Sequence, residues 1–138
     1  MVGHDLQASV ALRVNALLDL LQDADFCLVT DEVIAKIEIA RCIGAGDLVD
    51  PGAAPKQPRY CCPVLGEDPA LLDWARVAWF VVNGWSEPIE VDVGIPAFAC
   101  PPQLHDGRHR LAAAWYRHDP TILANCGGSC DLIEEMSA

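Results

Sequence analysis

The densest chemistry in this chain is the run His105-Asp-Gly-Arg-His-Arg-Leu-Ala-Ala-Ala114. Residues 105–118 hold three arginines and three histidines against one aspartate, in a chain whose formal net charge is −11. A basic island in an acidic protein focuses a small anion rather than a long polyanion. Gly107 permits a sharp turn and a close backbone approach to a ligand. A helix starting directly after it aims unpaired N–H groups and the positive end of its dipole into the turn. Arg108, His109 and Arg110 then occupy the first turn, where cations are unfavourable and a bound anion would resolve the conflict. The pattern reads as a phosphate or carboxylate cradle made by Gly107, Arg108, His109 and Arg110, with His109 as a hydrogen-bond donor. The residues alone leave one alternative: a turn whose arginines reach acidic neighbours elsewhere in the fold.

The flanking sequence must position that turn. The clearest strand is Ile89, Val91, Val93 and Ile95 alternating with Glu90, Asp92 and Gly94. A second extended piece is expected over 97–105, broken at Pro101-Pro102, followed by a turn at His105-Asp-Gly107 and a helix over 108–118. The small side chains of Ala112, Ala113 and Ala114 suit close packing against a sheet. Upstream, Asp68-Pro69 starts a helix over 70–83 that is apolar on nearly every side, a sign of deep burial. Gly84 ends it. Trp74, Trp79 and Trp85 cluster around it and can either stack on a base or pack the core. Thr121–Ala124 reads as a last strand, and Glu134-Glu135 as a solvated tail.

Nearer the start, Asp5 caps a helix running to about Gln22, with Leu6, Val10, Val14, Leu17, Leu18 and Leu21 as its apolar stripe. Phe26–Val29 is a short apolar run of strand type. Thr30 reads as the N-cap of the next helix, with Asp31 and Glu32 in its first turn. Val33, Ile34, Ile37 and Ala40 are expected to face inward, and Gly44 and Gly46 to stop it. Five prolines between residues 47 and 69 mark a loop. The order predicts an α/β (α+β) fold: an N-terminal helical region over 1–46 and one compact domain over 47–138.

Seven cysteines and no opening basic-then-apolar segment predict reduced thiols in a cytoplasm. Cys27, Cys42 and Cys100 read as small core residues. Cys61, Cys62, Cys126 and Cys130 could close a structural zinc site, but neither spacing is the common two-residue knuckle, so no metal is assigned. No apolar run reaches the roughly 18 residues of a membrane span. The acidic balance argues against direct duplex-DNA binding.

Two stretches resemble a known family. Gly84-x-x-x-Pro88-Ile89-x-Val91, then a strand, then Asp106-Gly107-x-His109-Arg110-Leu-Ala-Ala113 is similar to the ParB/sulfiredoxin superfamily. Gln57-Pro58-Arg59 resembles the Gln-Pro-Arg of partition proteins. The resemblance covers roughly residues 55–125. It implies a nucleotide-binding domain whose phosphates sit at Gly107, Arg108, His109 and Arg110. It also implies nucleoside triphosphate hydrolysis or phosphoryl transfer, as in an NTPase or small-molecule kinase, with Mg²⁺. Arg108 departs from the family, standing where sulfiredoxins carry their reactive cysteine and partition proteins a catalytic glutamate. The serine-kinase-like branch keeps Asp-Gly here, as this chain does. Phosphoryl transfer needs a carboxylate to accept a hydroxyl proton, and Glu87 and Asp106 are the candidates. The length and charge leave no room for the DNA-spreading modules of partition proteins. The contrasting expectation is a non-catalytic protein from a phage or other mobile element. It would use an acidic surface in residues 5–50 to block a host defence enzyme, as anti-CRISPRs do.

Overall fold

The alternation at Ile89 places one side chain in two against the core, and the strand it builds lies inside a mixed sheet. The computed structural model describes residues 9–21, 28–29, 31–50 and 69–138. In chain order the elements are β1 (Val10–Arg13), α1 (Val14–Leu21), α2 (Glu32–Ala45), α3 (Pro69–Asn83) and β2 (Ile89–Asp92). Then come β3 (Gln103–Asp106), α4 (Arg108–Tyr116), β4 (Thr121–Gly127) and α5 (Cys130–Met136). The fold is α+β. The strand order is β1-β4-β2-β3, with β2 and β4 parallel and the other two pairs antiparallel.

One face of the sheet is apolar. Leu12, Ile89, Val91, Leu104, Ile122 and Ala124 are buried there with Val14, Leu17 and Leu21 of α1 and Leu111 and Ala114 of α4. The other face exposes Arg13, Glu90 and Leu123. The alanines explain how α4 can be buried on two sides. Ala114 meets the sheet core, while Ala112 and Ala113 meet Val77 of α3 and Ile39 of α2. Beyond them, Ala75 and Ala78 of α3 close against Cys42 of α2. The layers therefore run sheet, α4, α3, α2.

Four expectations are corrected. Residues 10–13 form a strand, not the middle of a helix. Val10 and Leu12 alternate with Ala11 and Arg13, and pairing with β4 selects period two over the helical stripe. Asp5, Leu6 and Gln22 lie outside the described residues. Asp31 itself caps α2, its Oδ1 accepting the N–H groups of Val33 and Ile34, and Gly46 in the left-handed region closes the helix. Thr30 lies outside the described residues. The inward face of α2 is Ala35, Ile39 and Cys42, while Val33, Ile34, Ile37 and Ala40 are exposed. Apolar residues fall on every side of α2 between Lys36, Glu38 and Arg41, so their spacing gives no facing signal, and the side carrying Cys42 is the one that packs on Ala75 and Ala78 of α3. Cys100 is exposed, in the 3-10 turn and bridge that follow Ile95, so the extended piece begins only at Gln103.

The corrected facing is directly measurable. Ile39→Ala should cost about 2–4 kcal/mol through a core cavity. Ile37→Lys should stay within about 0.5 kcal/mol of wild type. Urea unfolding of both variants reads the difference; equal losses would restore the original facing.

Farther along, Leu28 and Val29 are not in a strand, while Phe26 and Cys27 lie outside the described residues. Helix α3 begins at Pro69 as expected, and Asp68 lies outside. Asp106 belongs to β3, so Gly107 alone makes the turn, and α4 ends at Tyr116. Strand β4 runs on to Gly127, and α5, capped by Ser129, follows it.

Candidate functional site

Strand β3 carries the chain to Gly107, and α4 starts at the next residue. Gly107 has φ +108°, and a Cβ there would sit 2.3 Å from Ile89 Cγ2. Glycine is therefore required by the strand–helix contact itself. As N-cap, Gly107 offers no side chain to the helix, so the first N–H groups of α4 have no capping partner among the described residues.

The basic residues of the first turn are held by the fold. Arg108 Nη2 donates to Asp73 Oδ1 at 3.1 Å, and His109 Nε2 lies 2.9 Å from the same oxygen. An ionised carboxylate only accepts, so His109 carries a proton on Nε2. Asp73 on α3 is thus an internal anion for this turn, and the alternative of arginines reaching acidic neighbours is realised there. Burial raises the Asp73 pKa, but the hydrogen bond from His109 and the charges of Arg108, His109 and Arg76 together bring it below the usual carboxylate range. Arg110 is 8% exposed and turns inward. It donates to the carbonyls of Glu87 (2.9 Å) and Pro88 (3.2 Å) and to Asp106 Oδ2 (3.0 Å).

These residues line one cleft of about 1020 Å³. Its walls are the C-terminal part of α3 with Trp79 and Phe80, the 84–87 loop with Trp85 and Glu87, strand β3, and the start of α4. Phe80 stacks edge-on with both tryptophans, and Arg117 lies over Trp85 at 4.9 Å. Trp74 packs in the core instead. All six expected site residues, Glu87, Asp106, Gly107, Arg108, His109 and Arg110, therefore meet at one cleft. Their roles divide: Arg110 is a tether, Arg108 keeps donors beyond Asp73, His109 spends its Nε2–H on Asp73, and the Glu87 carboxylate has no partner among the described residues. Asp73 was the residue sequence reasoning missed. Its signal was a carboxylate in an otherwise apolar helix, one turn before Arg76.

A depressed carboxylate contributes stability above its unfolded-state pKa, about 3.9, and loses it as pH falls through the lower folded value. Wild type minus Asp73→Asn stability should therefore be constant above about pH 5 and shrink below about pH 4. Melting curves at stepped pH check this, and a difference that is flat to pH 2 would contradict it.

Cys42 and Cys126 are pushed up by burial, which makes them poor nucleophiles. Cys61, Cys62, Cys27 and the Gln57-Pro58-Arg59 motif lie outside the described residues. Among the described residues no three His, Cys, Asp or Glu side chains converge on a metal position, and no described helix is long and apolar enough to cross a membrane.

No family model, no curated protein and no solved structure matches the chain.

Proposed function

We propose that this chain is a nucleotide- or phosphate-binding protein of ParB/sulfiredoxin type, with the cleft between α3 and the start of α4 as its site. One observation carries the reading: the N-terminus of α4, which no side chain caps among the described residues, lines the same cleft as Trp79, Phe80 and Trp85. The helix end and the remaining donors of Arg108 suit phosphate oxygens. Trp79 and Trp85 suit a base. Hydrolysis or phosphoryl transfer would use Glu87, whose carboxylate has no partner among the described residues, to accept the proton of the attacking water or hydroxyl. Asp106 is engaged by Arg110 and instead fixes the shape of the cleft. Mg²⁺ sites on nucleotides commonly use one or two carboxylates plus phosphate oxygens, so Glu87 and the free oxygen of Asp106 fit that modest demand. When bound, the metal would supply charge neutralisation on the phosphates.

Thermal shift against ATP, CTP, GTP, ADP and inorganic phosphate, with and without Mg²⁺, tests the reading. A ligand at 100 times its Kd adds about 2.7 kcal/mol. The informative variant is Arg108→Ala, because Arg108 makes one side-chain bond while Arg110 holds the wall together. A rise in Tm in wild type that is reduced in Arg108→Ala supports the site. An unchanged Tm with every ligand overturns it.

The second reading, an acidic mobile-element protein that blocks a host defence enzyme, is favoured by one observation. Val33, Ile34 and Ile37 expose 68%, 53% and 59% of their surfaces on a single helix, and such patches mark protein contacts. Loss of a recovered partner in Ile37→Lys would support it.

A further inference from the structure

We propose that the outer edge of β3 is a strand-addition site for an extended basic peptide segment. This goes beyond the nucleotide reading; it shares that cleft and its aromatic residues but stands on the strand edge rather than the helix end.

The two edges of the sheet are treated differently. On the β1 side, Ser137 bridges Leu12 and the Ala138 N–H donates to the Ala11 carbonyl, so the C-terminus covers that edge. On the other side β3 pairs with β2 alone, and its outer N–H and C=O groups have no partner among the described residues. Side chains alternate between the faces of a strand. Gln103, Leu104, His105 and Asp106 nevertheless all line the same cleft. Four consecutive residues do so when the strand edge, with its backbone donors and acceptors, forms the wall. Trp79, Phe80 and Trp85 line the same cleft and suit alternate side chains of an added strand.

Charge selects the occupant. Along this stretch Glu87 has no partner among the described residues, Asp106 is 68% exposed at its side chain, and Glu90 is exposed beside it. Of the basic residues lining the same cleft, Arg110 is spent on carbonyls and Asp106, and Arg108 and His109 are engaged by Asp73. An added segment with lysine or arginine near Glu87 and an apolar side chain toward the tryptophans is complementary. A second copy of β3 is not, because its own residues, Gln103, Leu104, His105 and Asp106, bring no lysine or arginine to that edge.

The test is selection of a phage-displayed random heptapeptide library on the full chain, followed by resynthesis of enriched sequences. Their affinities are read by fluorescence anisotropy with and without backbone N-methylation at alternate residues. The expected result is enrichment in Lys or Arg and amide shifts at residues 103–106. N-methylation in one register should weaken binding by about tenfold, as for one or two lost backbone bonds, while the other register has little effect. Glu87→Lys, an exposed change, should weaken binding further. No enrichment, enriched peptides that are acidic, or indifference to N-methylation in both registers would overturn the proposal. So would a dimer in sedimentation with the β3 amides protected, which would make the occupant a second copy. Nucleotide is absent throughout, so the peptide result and the nucleotide result can fail separately.

Discussion

Arg110→Ala is expected to lower Tm by roughly 8–15 °C, a loss of about 2–4 kcal/mol in a chain of this size. The guanidinium is nearly buried and joins three places: the Glu87 carbonyl, the Pro88 carbonyl and the Asp106 carboxylate. Truncation strands two carbonyls and frees the 84–88 loop from the end of β3. Arg110→Lys should recover little, because a single ammonium on a flexible stem cannot reproduce the planar fork. Thermal melts by circular dichroism decide the matter. A change below about 2 °C would mean that the tether does not hold the loop. The same variant is a poor probe of ligand contact, since any binding it loses follows from the collapse of the cleft wall.

Gly107→Ala should be at least as damaging, at more than about 3 kcal/mol. Two costs combine. The backbone sits at φ +108°, where an L side chain is strained, and the new Cβ would lie 2.3 Å and 2.7 Å from Ile89 Cγ2 and Cβ. Ile89 is itself fully buried at the centre of the sheet, so it has no room to withdraw. Pairing Gly107→Ala with Ile89→Ala separates the costs. The double variant removes the closer contact, keeps the backbone strain and adds a cavity. Its loss in urea unfolding should therefore be less than the sum of the two single losses. Strict additivity would mean that the glycine is needed for its backbone conformation alone.

The site was more legible than the frame around it. Asp-Gly followed by a basic first turn and three alanines fixed the position of α4, because a glycine turn, a charge cluster and small residues are local signals. Period two found β2 for the same reason. Residues 10–13 were misread because Val10 and Val14 fit a helical stripe while Val10 and Leu12 fit a strand. Only the partner strand, more than a hundred residues later, chooses between them. The facing of α2 was hidden because Val33, Ile34, Ile37 and Ile39 are alike in hydrophobicity, and the fit of Cys42 on Ala75 and Ala78 of α3 is a matter of shape. The role of Asp73 was invisible for a related reason. Its spacing from Arg108 in sequence is 35 residues, and only the packing of α3 on α4 brings the carboxylate to the turn. Arg110 has a second role that its sequence context did not show. Sequence marked it as a ligand contact because it is basic and near a glycine turn, whereas its fork is satisfied by the chain's own carbonyls.

The most direct test of the central claim is an amide and indole NMR titration of the wild-type chain with ATP. The account predicts saturable shifts at the backbone amides of Arg108, His109 and Arg110 and at the indole N–H groups of Trp79 and Trp85. Those groups staying unmoved at millimolar ATP, or shifts confined to residues outside the cleft, would contradict it.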